Sequence, residues 1–339
     1  MPIHDDVLED VHKWQQEGRR VVLATVVATW GSAPRPVGSQ LCVDETGSFS
    51  GSVSGGCIEA AVVREALRVL DTGSPRLVEF QVTNDMAWEV GLSCGGRVEI
   101  FVAAAEPQQR LLSTIMEARA RGERTVLATA LPGGDQTLLA NDAFSGDLEL
   151  DDQTQAIARR IAMQGESLAV LTDAGRIFLH AFPPPPRLIV VGAVHITEPL
   201  SRMATSAGYE VLIIDPRRSF AHRRQFAGLQ LVGDWPDVAM QKLKLDCWSA
   251  VVTLTHDPKL DDAALRVALA SEAFYIGCLG SRKTHLARLS RLRAAGFGDA
   301  DLARLHGPIG LAIGARTPAE IAVSILAEIT QVRRGEEPL

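Results

Sequence analysis

The run Pro183-Pro184-Pro185-Pro186 constrains the fold of this chain more than any other stretch. Proline fixes φ and lacks an amide hydrogen, so four in succession forbid a helix interior or a central strand and hold the backbone extended. A chain of 339 residues is long enough for about two domains. The run marks where they divide: residues 1–182 form one domain, 183–186 a linker and 187–339 a second domain. With 46% hydrophobic and 22% charged residues, both halves can bury a core.

The two halves carry different patterns. Upstream, β-branched runs predict strands over 21–29, 40–44, 77–82, 98–102 and 125–129, and helical periodicity covers 58–70, 107–121 and 152–164. That half reads as mixed α/β of the α+β kind, with no internal repeat. On the helix at 58–70, Ile58, Ala61, Val62, Ala66, Val69 and Leu70 share one stripe, with Glu59, Arg64 and Arg68 off it. Downstream, an apolar run at 187–191 ends in Gly192, a helix follows to Ala207, and a second strand ends at Asp215. Further strand-like runs at 229–232, 249–254 and 274–277 alternate with helices, as a Rossmann-like, doubly wound parallel sheet requires.

In such a sheet the loop after the first strand holds a dinucleotide, and an acid about 20 residues on bonds the ribose. Asp215 stands at that spacing, but the loop reads Gly192-Ala193-Val194-His195, with valine where the second glycine lets the backbone touch pyrophosphate. Val194 argues against NAD(P), and a glycine there is expected to create or strengthen nicotinamide binding. Arg217 and Arg218 could meet a 2′-phosphate or form a solvated charged turn. The loop is open to two readings: a purely structural βαβ unit, or a helix N-terminus holding a shorter phosphate ligand. His256 follows the strand ending at Leu254 and would share a crevice with Gly192 and His195, where hydrogen bonding is preferred to a metal for want of a third ligand. Ser281 and Arg282 open a helix and offer either an anion site or an ordinary basic cap. Thr317-Pro318-Ala319-Glu320 is a capping box with proline at the first helical position, a structural motif.

Two cysteines lie in mirror-image glycine settings, Ser54-Gly55-Gly56-Cys57-Ile58-Glu59 and Ser93-Cys94-Gly95-Gly96-Arg97. Glycine pairs permit positive φ and close approach of a ligand. Cys57 falls at a predicted helix N-terminus, where free amides and the macrodipole favour thiolate and make the sulfur a better soft-metal ligand. The alternative for each is a small buried cysteine filling a tight corner.

These stretches, together with Gly31-Ser32-Ala33-Pro34-Arg35-Pro36-Val37-Gly38, Tyr275 to Lys283 and His306 to Ala322, resemble the xanthine dehydrogenase accessory proteins of the XdhC/CoxI type over nearly the whole chain. The resemblance implies a chaperone that binds molybdenum cofactor, protects it and delivers it, during or after sulfuration, to a xanthine dehydrogenase-type apo molybdenum hydroxylase. It implies that Cys57 touches the molybdenum or its sulfur, with Gly55 and Gly56 giving room and Arg35 and Arg97 offsetting charge. It also implies a homodimer and an encounter with a cysteine desulfurase, and a maturation factor in place of a catalyst. The family usually carries Gly-Ala-Gly-His where this chain has Gly192-Ala193-Val194-His195. The rival is an NAD(P)-dependent oxidoreductase using the Rossmann-like half and a reactive Cys57.

Net charge is −7, so neither nucleic acid nor an anionic membrane surface is an expected partner. The N-terminus lacks the basic and apolar regions of a signal peptide, which points to the cytoplasm. Five cysteines with no Cys-x-x-Cys spacing argue against a disulfide framework and a structural zinc site.

Overall fold

The structure is a computed structural model and describes residues 7–31, 33, 35–56, 58–81, 96–106, 109–217, 226 and 228–335. The chain divides into two compact units, with the boundary between Pro184 and Pro185.

The first unit is built from α1 (Leu8–Gln16), β1 (Val21–Trp30), β2 (Gln40–Asp44), β3 (Phe49–Gly51), α2 (Glu59–Thr72), β4 (Arg76–Gln81) and β5 (Arg97–Ala104). It continues with α3 (Gln109–Ala120), β6 (Thr125–Leu131), β7 (Gln136–Ala140), β8 (Ala143–Gly146), α4 (Asp152–Gln164), β9 (Leu168–Thr172) and β10 (Gly175–Phe182). The strands form two five-stranded antiparallel sheets, ordered β3-β2-β1-β5-β4 and β8-β7-β6-β10-β9. Period-two alternation gives β1 two apolar faces. Val22, Ala24 and Val26 pack with Val62, Ala66 and Val69 of α2, while Val21 and Leu23 meet Leu127, Leu138 and Phe182 of the second sheet. Ala158 and Ile161 of α4 cover the second sheet in the same way. Each such buried valine or leucine contributes roughly 1.5–3 kcal/mol.

The unit is an internal repeat, contrary to the expectation of none. Each half runs helix, three strands, helix, two strands, and each sheet has the same strand order. Thr25 and Thr129 are each the fifth residue of their strand, each opposite a glutamine, and Gln40 Nε2 and Gln136 Nε2 donate to them at 3.0 Å in both copies. What the two copies share in sequence is little more than Val22-Leu23-Ala24-Thr25 and Val126-Leu127-Ala128-Thr129. A sandwich needs only the alternation of buried positions, so the rest was free to diverge.

The second unit has β11 (Arg187–Val191), α5 (Thr197–Ser206), β12 (Glu210–Ile214), β13 (Gln230–Val232), α6 (Pro236–Leu243), β14 (Ser249–Thr253) and α7 (Pro258–Leu269). It ends with β15 (Tyr275–Cys278), α8 (Arg282–Ala294), α9 (Asp299–Leu302), β16 (Leu305–His306) and α10 (Pro318–Arg334). All six strands are parallel, ordered β13-β12-β11-β14-β15-β16, with α5 and α10 on one face and α6, α7 and α8 on the other. This is the doubly wound order, whose direction reverses between β11 and β14. The Thr317–Glu320 capping box opens α10 with both its bonds formed.

Candidate functional site

The ladders of the first sheet set the roots of the motif loops at one end of the sheet. Trp30 at the end of β1 and Gln81 at the end of β4 both lie opposite Arg97 at the start of β5. Gly51, the last residue of β3, lies opposite Leu41 beside the start of β2. The connections 31–39, 52–58 and 82–96 therefore leave one end of the sheet, and they hold Arg35, the Gly-Gly-Cys run and Cys94. In the second repeat the matching connections shrink to 132–135, 147–151 and 173–174. The same framework folds with turns of four and two residues in place of 31–39 and 82–96, so those two loops are additions that the sandwich does not need, while 52–58 exceeds its counterpart by two residues.

Glu59 moulds the Gly-Gly loop. Its Oε1 accepts the Ser52 hydroxyl at 2.8 Å and the Ser54 amide at 3.0 Å, and its Oε2 accepts the Ser54 hydroxyl at 2.5 Å, the Gly56 amide at 2.9 Å and the Ile58 amide at 3.2 Å. Gly55 and Gly56 take φ of 75° and 121°, a region that only glycine enters without strain. Burial alone would raise the Glu59 carboxyl, but the bonds from Ser54 and Ser52 outweigh it and hold the group below its ordinary value. The helical wheel puts Glu59 off the apolar stripe; the structure buries it to 6% exposure. The signal lies in the preceding residues, because Ser52, Ser54 and Gly56 supply a cluster of donors to a carboxylate at the first helical position.

Helix α2 starts at Glu59 with Ile58 as its N-cap. Cys57, the expected sulfur contact, and Cys94, a further cofactor-binding candidate, lie outside the described residues, as does Arg218. Arg35 is partly buried on the 31–39 loop, and Arg97 is held by Glu79 at 3.3 Å with its guanidinium 4.2 Å from the Trp30 ring centre. Cys42 and Cys278 are buried thiols, which burial pushes up to about 12 and about 11, so they are inert packing residues.

At the carboxyl edge of the parallel sheet, the dinucleotide loop is closed on itself. Gly192 has φ of 111°, and a Cβ there would stand 2.6 Å from Thr255 Cγ2, so glycine serves close packing of this loop on the segment that follows β14. The Ala193 amide donates to Asp215 Oδ2 at 2.7 Å and the Val194 amide to Thr197 Oγ1 at 3.2 Å. Arg217 grips the same carboxylate, Nε to Oδ1 at 2.9 Å and Nη2 to Oδ2 at 2.7 Å. Burial would raise the Asp215 carboxyl, yet the bonds from Arg217 and Ala193 hold it below its ordinary value. A pyrophosphate needs those amides and a ribose needs that acid. The residues present therefore do not fit NAD(P), and Val194 is only part of the reason.

His195 and His256 are exposed on the loops that leave the neighbouring strands β11 and β14. Ser281 and Arg282 are exposed after the next strand, β15, and the Ser281 hydroxyl is the N-cap of α8, accepting the Thr284 amide at 3.1 Å. Among the described residues, no three His, Cys, Asp or Glu side chains converge on a metal position. Sequence reasoning missed a buried pair under this edge. Asp261 and Arg288 are each 2% exposed and 3.5 Å apart, and Asp261 accepts the Thr255 hydroxyl at 2.6 Å. Burial raises the Asp261 carboxyl to about 6. Among the described residues, no helix is long and apolar enough to cross a membrane.

Comparison with known proteins agrees with both halves of this architecture. Residues 188–329 match the family described as the XdhC Rossmann domain, and residues 14–81 match the XdhC and CoxI family. The molybdenum cofactor insertion chaperone PaoD of Escherichia coli is 27% identical over 98% of this chain and 90% of its own length. A Bacillus subtilis protein named as a probable component of xanthine dehydrogenase is 27% identical over 97% of this chain and 96% of its own. The crystal structure of a protein from Bacillus halodurans, described as a xanthine dehydrogenase, superposes with a TM-score of 0.77 at 24% identity, covering 97% of this chain and 96% of that one, and so shares the fold. The chain therefore carries an XdhC and CoxI family domain over residues 14–81 and an XdhC Rossmann domain over residues 188–329, one on each side of the proline run.

Proposed function

We propose that this protein is a carrier that binds molybdenum cofactor and hands it to a xanthine dehydrogenase-type hydroxylase. The observation that carries this reading is the rooting of three motif connections at one end of the first sheet, of which 31–39 and 82–96 are pared to turns of four and two residues in the other repeat. A loop of paired glycines, held in shape by a buried carboxylate, is a rigid mount for the residue it carries. In this reading Cys57 supplies a soft sulfur ligand to molybdenum, Cys94, in the 82–96 connection, is a further cofactor-binding residue, Gly55 and Gly56 leave room for the ligand, and Arg35 balances the anionic cargo. In the second unit, taken by itself, His195, His256, Ser281 and Arg282 at the carboxyl edge of the parallel sheet are proposed contacts for an anionic ligand.

The names of the Escherichia coli and Bacillus subtilis relatives support a role in molybdoenzyme maturation. The proposed partners are the apo-hydroxylase and, upstream, a cysteine desulfurase, with the chain acting as a cytoplasmic homodimer. The closed dinucleotide loop speaks against the oxidoreductase alternative. Anaerobic equilibrium binding of molybdenum cofactor, with NADH and NADPH titrated in parallel, tests the reading. Tight binding of the cofactor with a flat nicotinamide titration is the expected result; nicotinamide binding alone would overturn it.

A further inference from the structure

We infer that Trp30 and Arg97 form a stacking platform for the conjugated ring of an anionic heterocyclic cargo, a pterin; the inference rests on the carrier reading. Trp30 ends β1 and Arg97 begins β5, directly opposite each other on the ladder. Trp30 is 41% exposed, which leaves much of a large aromatic surface in water at the end of the sheet that bears the motif loops. Arg97 covers one face of the ring, its guanidinium carbon 4.2 Å from the ring centre, which leaves the opposite face for a ligand, and it is itself anchored by Glu79 on the neighbouring strand at 3.3 Å. In sequence, Trp30 abuts Gly31, the root of the loop that carries Arg35, and Arg97 abuts Gly96, the root of the second glycine-cysteine motif. One ring and one cation thus stand at the bases of two motif loops. The third loop leaves β3, two strands from β1, or about 10 Å across the sheet.

The second repeat shows that the fold does not ask for this pair. The corresponding positions fall in the turns 132–135 and 173–174, which contain neither tryptophan nor arginine, yet the strands around them form the same sheet. The pair's chemistry selects its ligand. An indole face gains from a second planar π-system laid against it, and a guanidinium beside it gains from negative charge. A pterin bearing a phosphate or carboxylate offers both, whereas a simple phosphate leaves the ring unused.

The test is anaerobic equilibrium binding of molybdenum cofactor, and separately of pterin-6-carboxylate as a probe of the ring, to the wild-type chain, Trp30→Ala, Trp30→Phe and Arg97→Gln. Trp30→Ala is expected to weaken both ligands roughly tenfold or more, and Trp30→Phe to stay within about threefold of wild type, since phenylalanine preserves the stack. Arg97→Gln is expected to weaken both ligands. Binding should quench a tryptophan emission component in the wild type that is missing in Trp30→Phe. Unchanged affinity in a Trp30→Ala variant that melts like wild type overturns the platform and leaves the carrier reading intact. If Trp30→Ala melts early, quenching that survives in Trp30→Phe overturns the platform in its place. Failure of the wild-type chain to bind molybdenum cofactor overturns the carrier reading beneath it.

Discussion

Gly56 and Glu59 are joined by a 2.9 Å hydrogen bond from the Gly56 amide to Glu59 Oε2, and the Ile58 amide reaches the same oxygen at 3.2 Å. The two residues on either side of position 57 are therefore tied to one carboxylate, which is itself buried at the first position of α2. Replacing it strands several donors at once, and a buried donor without a partner costs about 1–3 kcal/mol.

Glu59→Ala is accordingly expected to lower stability by about 2–4 kcal/mol, and Glu59→Gln by less, because the amide keeps one acceptor oxygen. Urea unfolding reads the stability, and limited proteolysis within 52–58 reads the loop. Because the folded carboxyl titrates below its ordinary value of 4.5, its contribution is present above that value and is lost as pH falls through the lower folded one. Equal urea midpoints for Glu59→Ala and wild type would mean that the network does not hold the loop.

His180, 7% exposed on β10, gives the first unit a sensitivity to acid. Burial pushes the imidazole down to about 4 from an ordinary 6.5, the Gly38 backbone offsetting this only in part. The unfolded chain thus binds a proton between those values that the folded chain refuses, so stability is full above about 6.5 and falls as pH drops toward 4, by about 3 kcal/mol at most. His180→Gln, which cannot charge, is expected to flatten the urea midpoint between pH 6.5 and 4. A slope as steep as that of wild type would assign the acid sensitivity to other groups.

The strands that could be read from sequence are the ones whose burial is carried by runs of β-branched residues, such as β1 and β2 in the first unit and β11, β12 and β14 in the second. Strands β3, β8 and β16, of three, four and two residues, are too short to show a period. The repeat was hidden because divergence spared little beyond one tetrapeptide and the Thr-Gln pairs, which lie in different local sequences. Glu59 and Arg288 were hidden for a related reason. A helical wheel assigns charged residues to water, and it cannot register a loop that folds back to supply donors, or an acid on another helix that lets an arginine sink to 2% exposure. In the dinucleotide loop, Val194 was visible as a departure, but the bond from Ala193 to Asp215 exists only once the two strands are side by side.

That bond changes what a glycine at 194 can achieve. Val194→Gly removes the side chain over the loop but leaves the Ala193 amide on Asp215 and Arg217 on both carboxylate oxygens. The single variant is therefore expected to show the same flat NADH titration as wild type. Val194→Gly combined with Arg217→Ala frees part of the acid and is the variant in which weak binding would first emerge. Saturable NADH binding by Val194→Gly alone, followed by fluorescence, would show that the internal bonds yield easily to a ligand.

Cys57→Ala separates the sulfur from its mount. The bonds that shape the loop come from Ser52, Ser54, Gly56 and Ile58 to Glu59, and none of these uses the side chain at 57. The variant should therefore unfold within about 0.5 kcal/mol of wild type, because each of these bonds to Glu59 is kept. Molybdenum cofactor binding should be lost, because alanine offers no soft ligand to the metal. The pairing of these two measurements carries the argument. Lost binding with unchanged stability assigns the contact to the thiol, while retained binding would leave the glycine loop as a shape that holds the cargo without its sulfur. A Cys57→Ser variant distinguishes size from softness, since a hydroxyl fills the same space and is a poor ligand for a thiophilic metal.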